Sequence, residues 1–210
     1  QRLIRQPQIS NNDKEKLEVI YRNANRMNYL INELLTFSKI EMKQMRISVR
    51  KGDIMHFLEE LSHIFDIVAG EREIDFIVNL EDTEEEVWFS PSKLERILYN
   101  LLSNAFKYTQ PGGYVKLSAK LIKEEKGTFV QISVKDNGRG IPKEAQEQIF
   151  ESYYQVEKRD HREGFGLGLS LTRSLIHMHK GEIRVESEIN KGSDFIVTLN
   201  VSEDAYNPDE

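Results

Sequence analysis

The 210-residue chain contains no cysteine, so disulfides and thiolate metal sites are both excluded, a usage that fits a reducing compartment. It has no apolar run near the roughly 18 residues a membrane-spanning helix needs, and no secretory signal peptide. Positive charge is outnumbered: 29 Lys and Arg stand against 35 Asp and Glu, for a formal net charge of −6. With a pI near 5.5, that balance argues against broad binding to nucleic acid or to an anionic bilayer. Internal repeats and low-complexity segments are missing too. What is there is 39% hydrophobic residues at a mean hydropathy of −0.55, enough for the core of one large domain with an appended element. The chain opens on "QRLIRQP" with no initiator Met, which suggests a piece of a longer protein.

Residues 13–45 carry the longest helical signal. Leu17, Ile20, Ala24, Met27, Ile31 and Leu34 recur at alternating spacings of three and four, which is a heptad seam, and Leu30, Phe37 and Ile40 widen it. So wide a stripe needs partner helices, in a helical hairpin or, with a second copy, a four-helix bundle. Beyond residue 46 the periods alternate. "RISVRKGD" reads as a short strand, "DIMHFLEELSHIFDIVA" as a helix, and "EIDFIVNL" and "VWF" as strands, with "EDTEEE" a solvated acidic turn. "SPSKLERILYN" opens a helix, with Ser90 as N-cap and Pro91 at its first position. "GYVKLSAKLI" and "TFVQISVKD" form a hairpin about "KEEKG". A helix near 143–151, a helix over about 167–179 and a last hairpin from "GEIRVESE" and "SDFIVTLNV" follow. Without βαβ regularity the class is α+β, with an antiparallel-dominated sheet preceded by a long helix. The boundaries expected are 1–45 for a partial helical hairpin, 46–204 for the α+β domain and 205–210 for a tail.

Three segments carry chemistry. In "NLLSNAFKYT", Asn100, Asn104 and Lys107 share one helical face at offsets of zero, four and seven. Buried amides need partners, so these are either capping asparagines or an amide oxygen for a hard cation such as Mg²⁺ beside a phosphate-binding lysine. "DNGRGIP", Asp136 to Pro142, is either a plain turn or a place where a ligand approaches the backbone, with Asp136 free to accept from an exocyclic amine. In "EGFGLGLSL", Gly164, Gly166 and Gly168 enter a helix whose N–H groups suit phosphate. Leu169 stands where a G-x-G-x-x-G would end, and no G-x-x-x-x-G-K-[ST] exists, which excludes Rossmann and P-loop sites.

In this order, together with "NKGSDF", these segments resemble the N, G1, G2 and G3 boxes of the ATP-binding domain of sensor histidine kinases, and "IFESYYQ" resembles the F box between G1 and G2. The helix ending "LINELLTFSKIE" resembles the second helix of that family's dimerisation and phosphotransfer hairpin. "LSNAFKYT" with "SYYQ" looks most like the hybrid two-component membrane receptors of Bacteroides-type bacteria.

The resemblance implies a two-layer α/β sandwich with an antiparallel-dominated mixed sheet, and ATP and Mg²⁺ as ligands. It makes Asn104 the magnesium ligand, with Asn100 supporting it, Lys107 on phosphate and Tyr108 packed near the nucleotide. Asp136 would hold the adenine amino group, Gly138 and Gly140 would let the backbone come close, and Ile141 would be an apolar wall. Tyr154, Gly164, Phe165, Gly166, Leu167, Gly168 and Leu169 would complete the nucleotide site, with residues 152 to about 165 as a lid. It further implies a homodimer through the N-terminal helix, a response-regulator receiver domain as partner, no direct nucleic-acid contact, and a place in the cytoplasmic part of an inner-membrane receptor. Relatives that hydrolyse ATP with water carry a glutamate four residues before the metal asparagine. Here that position is Asn100, whose amide is no base at neutral pH, which favours phosphoryl transfer. The family's lid arginine is replaced by Gln155, leaving Lys158, Arg159 or Arg162 to supply that charge. Phe165 stands where Thr or Ser is usual, and Ser90 where Asp is frequent. None of the histidines (His56, His63, His161, His177, His179) has the context of a phosphoacceptor. A degenerate signal-transmitting module without nucleotide, or a hydrolytic ATPase, are the alternatives.

Overall fold

A computed structural model of the chain describes residues 11–42, 44–155 and 166–206. Helix α1 (Asn11–Glu41) leads into strand β1 (Arg50–Asp53), helices α2 (Ile54–Ser62) and α3 (Ile64–Arg72), and strands β2 (Asp75–Leu80) and β3 (Glu86–Phe89). Helix α4 (Pro91–Tyr108), the β4 (Tyr114–Glu124) and β5 (Gly127–Asp136) hairpin, helix α5 (Gly168–Met178), and the β6 (Glu182–Glu188) and β7 (Gly192–Asn200) hairpin complete it. Strands β1 and β3 pair as a separate ribbon, and the main sheet runs β2-β4-β5-β7-β6. Only the β2–β4 pair within it is parallel. One mixed, mostly antiparallel sheet and one helical layer make the α+β class that the periodicity implied and the two layers that the resemblance implied.

Strand alternation and helix stripe meet in one core. Val115, Leu117 and Ala119 of β4, and Val130, Ile132 and Val134 of β5, are buried, while Lys116, Ser118, Gln131 and Ser133 between them stay partly exposed. Against them α4 lays Leu94, Ile97, Leu98, Leu101, Leu102, Ala105 and Phe106. Phe106 stacks on Phe65 of α3 at 5.6 Å and meets the edge of Phe76 of β2 at 5.3 Å. Each such burial stabilises the fold by about 1.5–3 kcal/mol. Arg72, ending α3, donates to the Phe106 carbonyl at 2.8 Å, so the last turn of α4 is tied from outside.

Several local expectations are revised. The helix read through residues 53–69 breaks at His63. Ser62 Oγ donates back to the Glu59 carbonyl at 2.7 Å, a bond that bends helices, and the break leaves Ile64 exposed instead of in the core. The segment near 143–151 forms two 3₁₀ turns, Lys143–Ala145 and Gln148–Phe150, rather than an α-helix. Its Gln146 side chain bonds the Ile141 carbonyl, competing with a continuous helix. The first strand covers only Arg50–Asp53 of "RISVRKGD". Ser90 occupies the N-cap position of α4 but makes no side-chain cap bond. Instead its N–H donates to Nε2 of the buried His179 at 3.2 Å, whose Nδ1 lies 3.0 Å from the Leu175 carbonyl. Tyr206, assigned to the tail, is buried, and its hydroxyl donates to the Asn200 carbonyl.

Candidate functional site

The three segments converge where the C-terminal half of α4, the loop after β5 and the start of α5 meet the turn of the β6–β7 hairpin. The polar stripe on α4 divides its duties. Asn100 faces α5: its Nδ2 donates to Thr172 Oγ1 at 2.7 Å. A Cβ at Gly168 would lie 2.6 Å from Asn100 Oδ1, so a side chain at the first residue of α5 would have to displace the Asn100 amide. Asn100 therefore fixes α5 against α4. Asn104, one turn later, is half-buried, as are Lys107 and Tyr108. The Tyr108 ring carries two cations, the Lys107 ammonium at 4.7 Å and the Arg139 guanidinium at 4.4 Å from its centroid. Arg139 was not singled out by its motif; its contact joins the α4 end to the loop after β5.

Asp136 ends β5 and is 5% exposed. Its carboxylate accepts the Gly138 N–H at 2.8 Å and the Ser193 N–H. Burial pushes the carboxyl above the ordinary carboxylate range, the two N–H donors pull it back, and Asp194 adds to the rise. Gly138 presses on α4: a Cβ there would stand 2.4 Å from the Tyr108 carbonyl oxygen. Gly140, at φ +70°, has the Glu188 carbonyl where a Cβ would go. Ile141 packs on the core and is held at both ends of its peptide. Its N–H donates to Ser187 Oγ at 2.8 Å, and its carbonyl accepts Gln146 Nε2 at 3.1 Å.

The α5 end is built differently. Leu167 is buried at the N-cap position and provides no side-chain cap to the first turn. Leu169 and Tyr154 pack partly buried against the core. Gly166 accepts the Tyr153 N–H at 2.9 Å, and at φ +70° it has the Tyr154 carbonyl 2.6 Å from where a Cβ would stand. Gly164 and Phe165, like Lys158, Arg159, His161 and Arg162 and most of the expected lid, lie outside the described residues. Gln155, in the arginine's place, is exposed.

Chemically, this is a deep carboxylate accepting two backbone N–H groups, with two cations on the neighbouring Tyr108 ring and, at α5, a helix start to which Leu167 gives no side-chain cap; such an arrangement could take a base at one pole, the base pole, and phosphate at the other. Among the described residues no three His, Cys, Asp or Glu side chains gather as a metal cluster. A cation here would take one amide oxygen from Asn104 and its other ligands from phosphate and water, which fits Mg²⁺ and its reluctance to shed water. His56, His63 and His177 are exposed, and His179 is buried and neutral in its bonding, so no histidine pair forms among the described residues. Sequence reasoning missed Ser187, Ser193, Gln146 and Arg139, because their pairing depends on strand register that spacing alone does not disclose.

Residues 89–203 match the family of histidine kinase-, DNA gyrase B- and HSP90-like ATPases. The chain is similar to histidine kinase P4 of Formosa agariphila, at 34% identity over 195 residues, covering 90% of this chain and 14% of that protein. It is equally similar, at 34% over 190 residues, to the sensor histidine kinase WalK of Bacillus subtilis, covering 90% of this chain and 31% of that one. The chain thus spans less than a third of the length of these two relatives. In fold it resembles full-length ShkA, solved in complex with AMPPNP, at a TM-score of 0.81 and 24% identity over 96% of this chain and 41% of that one. It also resembles the catalytic domain of histidine kinase ThkA, at 0.66 and 25% identity over 76% of this chain and 100% of that domain.

Proposed function

The chain belongs to the histidine kinase-, DNA gyrase B- and HSP90-like ATPases, and on that premise we propose that it is the catalytic region of a sensor histidine kinase of a two-component system. It binds Mg-ATP and transfers the γ-phosphoryl group to a histidine of the dimerisation hairpin. The phosphoryl group then passes to an aspartate of a response-regulator receiver domain. In the transfer the bond from the γ-phosphorus to the β,γ-bridging oxygen breaks, an imidazole N–P bond forms, and ADP leaves. The acceptor is a histidine other than the five in this chain. In this reading residues 46–204 are the catalytic unit, and α1 is part of the hairpin, contributing its exposed face to a homodimer. The whole protein is a hybrid receptor of Bacteroides type, anchored in the inner membrane with this region in the cytoplasm.

The observation that carries the reading is Asp136, a buried carboxylate backed by the Gly138 and Ser193 N–H groups beside the end of α4. It accepts the 6-amino group of adenine, while Ile141 and Tyr108 flank the base. Asn104 would hold Mg²⁺, which when bound supplies neutralisation of phosphate charge. Lys107 places a cation on phosphate, and the start of α5, with Gly166, Leu167, Gly168 and Leu169 after Gly164 and Phe165, lends its N–H groups. Catalysis is then positioning and charge complementarity. Hydrolysis is disfavoured because Asn100 has no carboxylate to take a proton from water, and its amide nitrogen is committed to Thr172.

Replacing Asp136 by Ala removes the acceptor of the 6-amino group, and replacing Asn104 by Asp sets a negative charge beside the phosphates; each should weaken binding of a fluorescent ATP analogue by about tenfold or more. Unaltered affinity in both variants would refute this site.

A further inference from the structure

The base pole contains a row of polar side chains whose hydrogens can be assigned by counting. Register places Asp136 of β5 opposite Ser193 of β7, and Ser193 opposite Ser187 of β6, so the three stand side by side across three strands. Ser187 Oγ has one hydrogen and two lone pairs. It receives the Ile141 N–H at 2.8 Å, and it faces the Gly192 carbonyl at 2.8 Å and Ser193 Oγ at 3.0 Å. A carbonyl can only accept, so the single Ser187 hydrogen goes to Gly192. The lone pair that remains accepts from the Ser193 hydroxyl. Ser193 has then spent its only hydrogen away from the base pole, and its N–H is on Asp136. Gln146 Nε2, donating to the carbonyls of both Ile141 and Ser187 at 3.1 and 2.8 Å, keeps this arrangement in place from the outer side.

We infer that Ser187 is a positioning residue for nucleotide selectivity: by taking the Ser193 hydrogen it leaves only acceptor oxygens, those of Ser193 and Asp136, at the base pole, so the site takes purines with a 6-amino group and rejects 6-oxo purines. This rests on the nucleotide reading above and adds to it the residue that sets the polarity. A 6-oxo base would bring its carbonyl oxygen against two acceptors with no hydrogen between them, and unpaired polar groups of that kind discriminate strongly. Without the Ser187 hydroxyl, the Ser193 hydrogen is free to turn toward the base and serve a 6-oxo group.

The test is competition of ATP and ITP against a fluorescent ATP analogue on the full chain. The unsubstituted protein should prefer ATP by about tenfold or more. Ser187→Ala should narrow that preference by about fivefold, and Ser187→Thr, which keeps the hydroxyl, should retain it. Ser187→Cys, nearly isosteric and a weak acceptor, should narrow it in the same direction and serves if the alanine variant does not fold. An unchanged ratio in the Ser187→Ala and Ser187→Cys variants, or equal affinity of the unsubstituted chain for ATP and ITP, overturns this inference and leaves the nucleotide site standing. No binding of either nucleotide by the unsubstituted chain overturns both.

Discussion

Helices α1 and α4 have the same kind of sequence, a long amphipathic stripe, and opposite fates. In α4 the stripe from Leu94 to Phe106 is buried against the sheet. In α1 the corresponding residues face solvent: Ile20 is 62% exposed and Met27 63%, with Ile31, Leu34 and Leu35 about half exposed. Periodicity states that a helix requires a partner; it does not state whether that partner is in the same chain. The tie between α1 and the rest includes the bond from Arg96 of α4 to Thr36 at 2.8 Å, near the C-terminal end of α1. In the reading proposed above, this apolar face, left open over several turns, is the homodimer surface.

The contrast can be broken from either side. Phe106→Ala, removing the ring between Phe65 and Phe76, should cost about 3–5 kcal/mol in chemical denaturation of the chain. A loss under 1 kcal/mol would mean that α4 is not the core element described. Ile31→Arg with Leu34→Arg in α1 should convert a dimer to a monomer in sedimentation while shifting the same denaturation by no more than about 0.5 kcal/mol. A large shift with no change of mass would place α1 in the core after all. The smallest effect is a pH slope. Burial, with help from Lys93, lowers the pKa of His179 from its usual 6.5, against the raising effect of the Leu175 carbonyl. The unfolded chain therefore binds a proton more readily than the folded one. Stability is full above pH 6.5 and declines as the pH falls toward the lowered value. His179→Gln should flatten that decline as the pH falls below 6.5, and an unaltered slope would show that another group is responsible.

How far the sequence discloses this molecule follows the same division between local and non-local. Alternation exposed β4, β5, β6 and β7, and the α4 and α5 stripes were readable from their own residues. The break at His63 was hidden, because Ser62 looks like any polar helix residue until its hydroxyl bonds the Glu59 carbonyl. The 3₁₀ turns after Pro142 were read as helix, since Ala145, Ile149 and Phe150 do carry helical spacing. In the site, Asp136 and the glycines were legible from composition and order. Ser187 and Gln146 were not: Ser187 meets Ile141 across 46 residues of chain, and only the β6–β7 register aligns it with Ser193. Ser90 stands at the N-cap position as read, but its side chain makes no cap bond, and the contact of its N–H with His179 spans 89 residues of chain.

The central claim is a nucleotide site between the end of α4 and the loop after β5. Calorimetric titration of the chain with Mg-ATP tests it most directly, run beside the Asp136→Ala protein. The account predicts a single-site isotherm for the unsubstituted chain that weakens by about tenfold or more in the variant. Absence of binding heat at several temperatures, or isotherms that coincide, would contradict it.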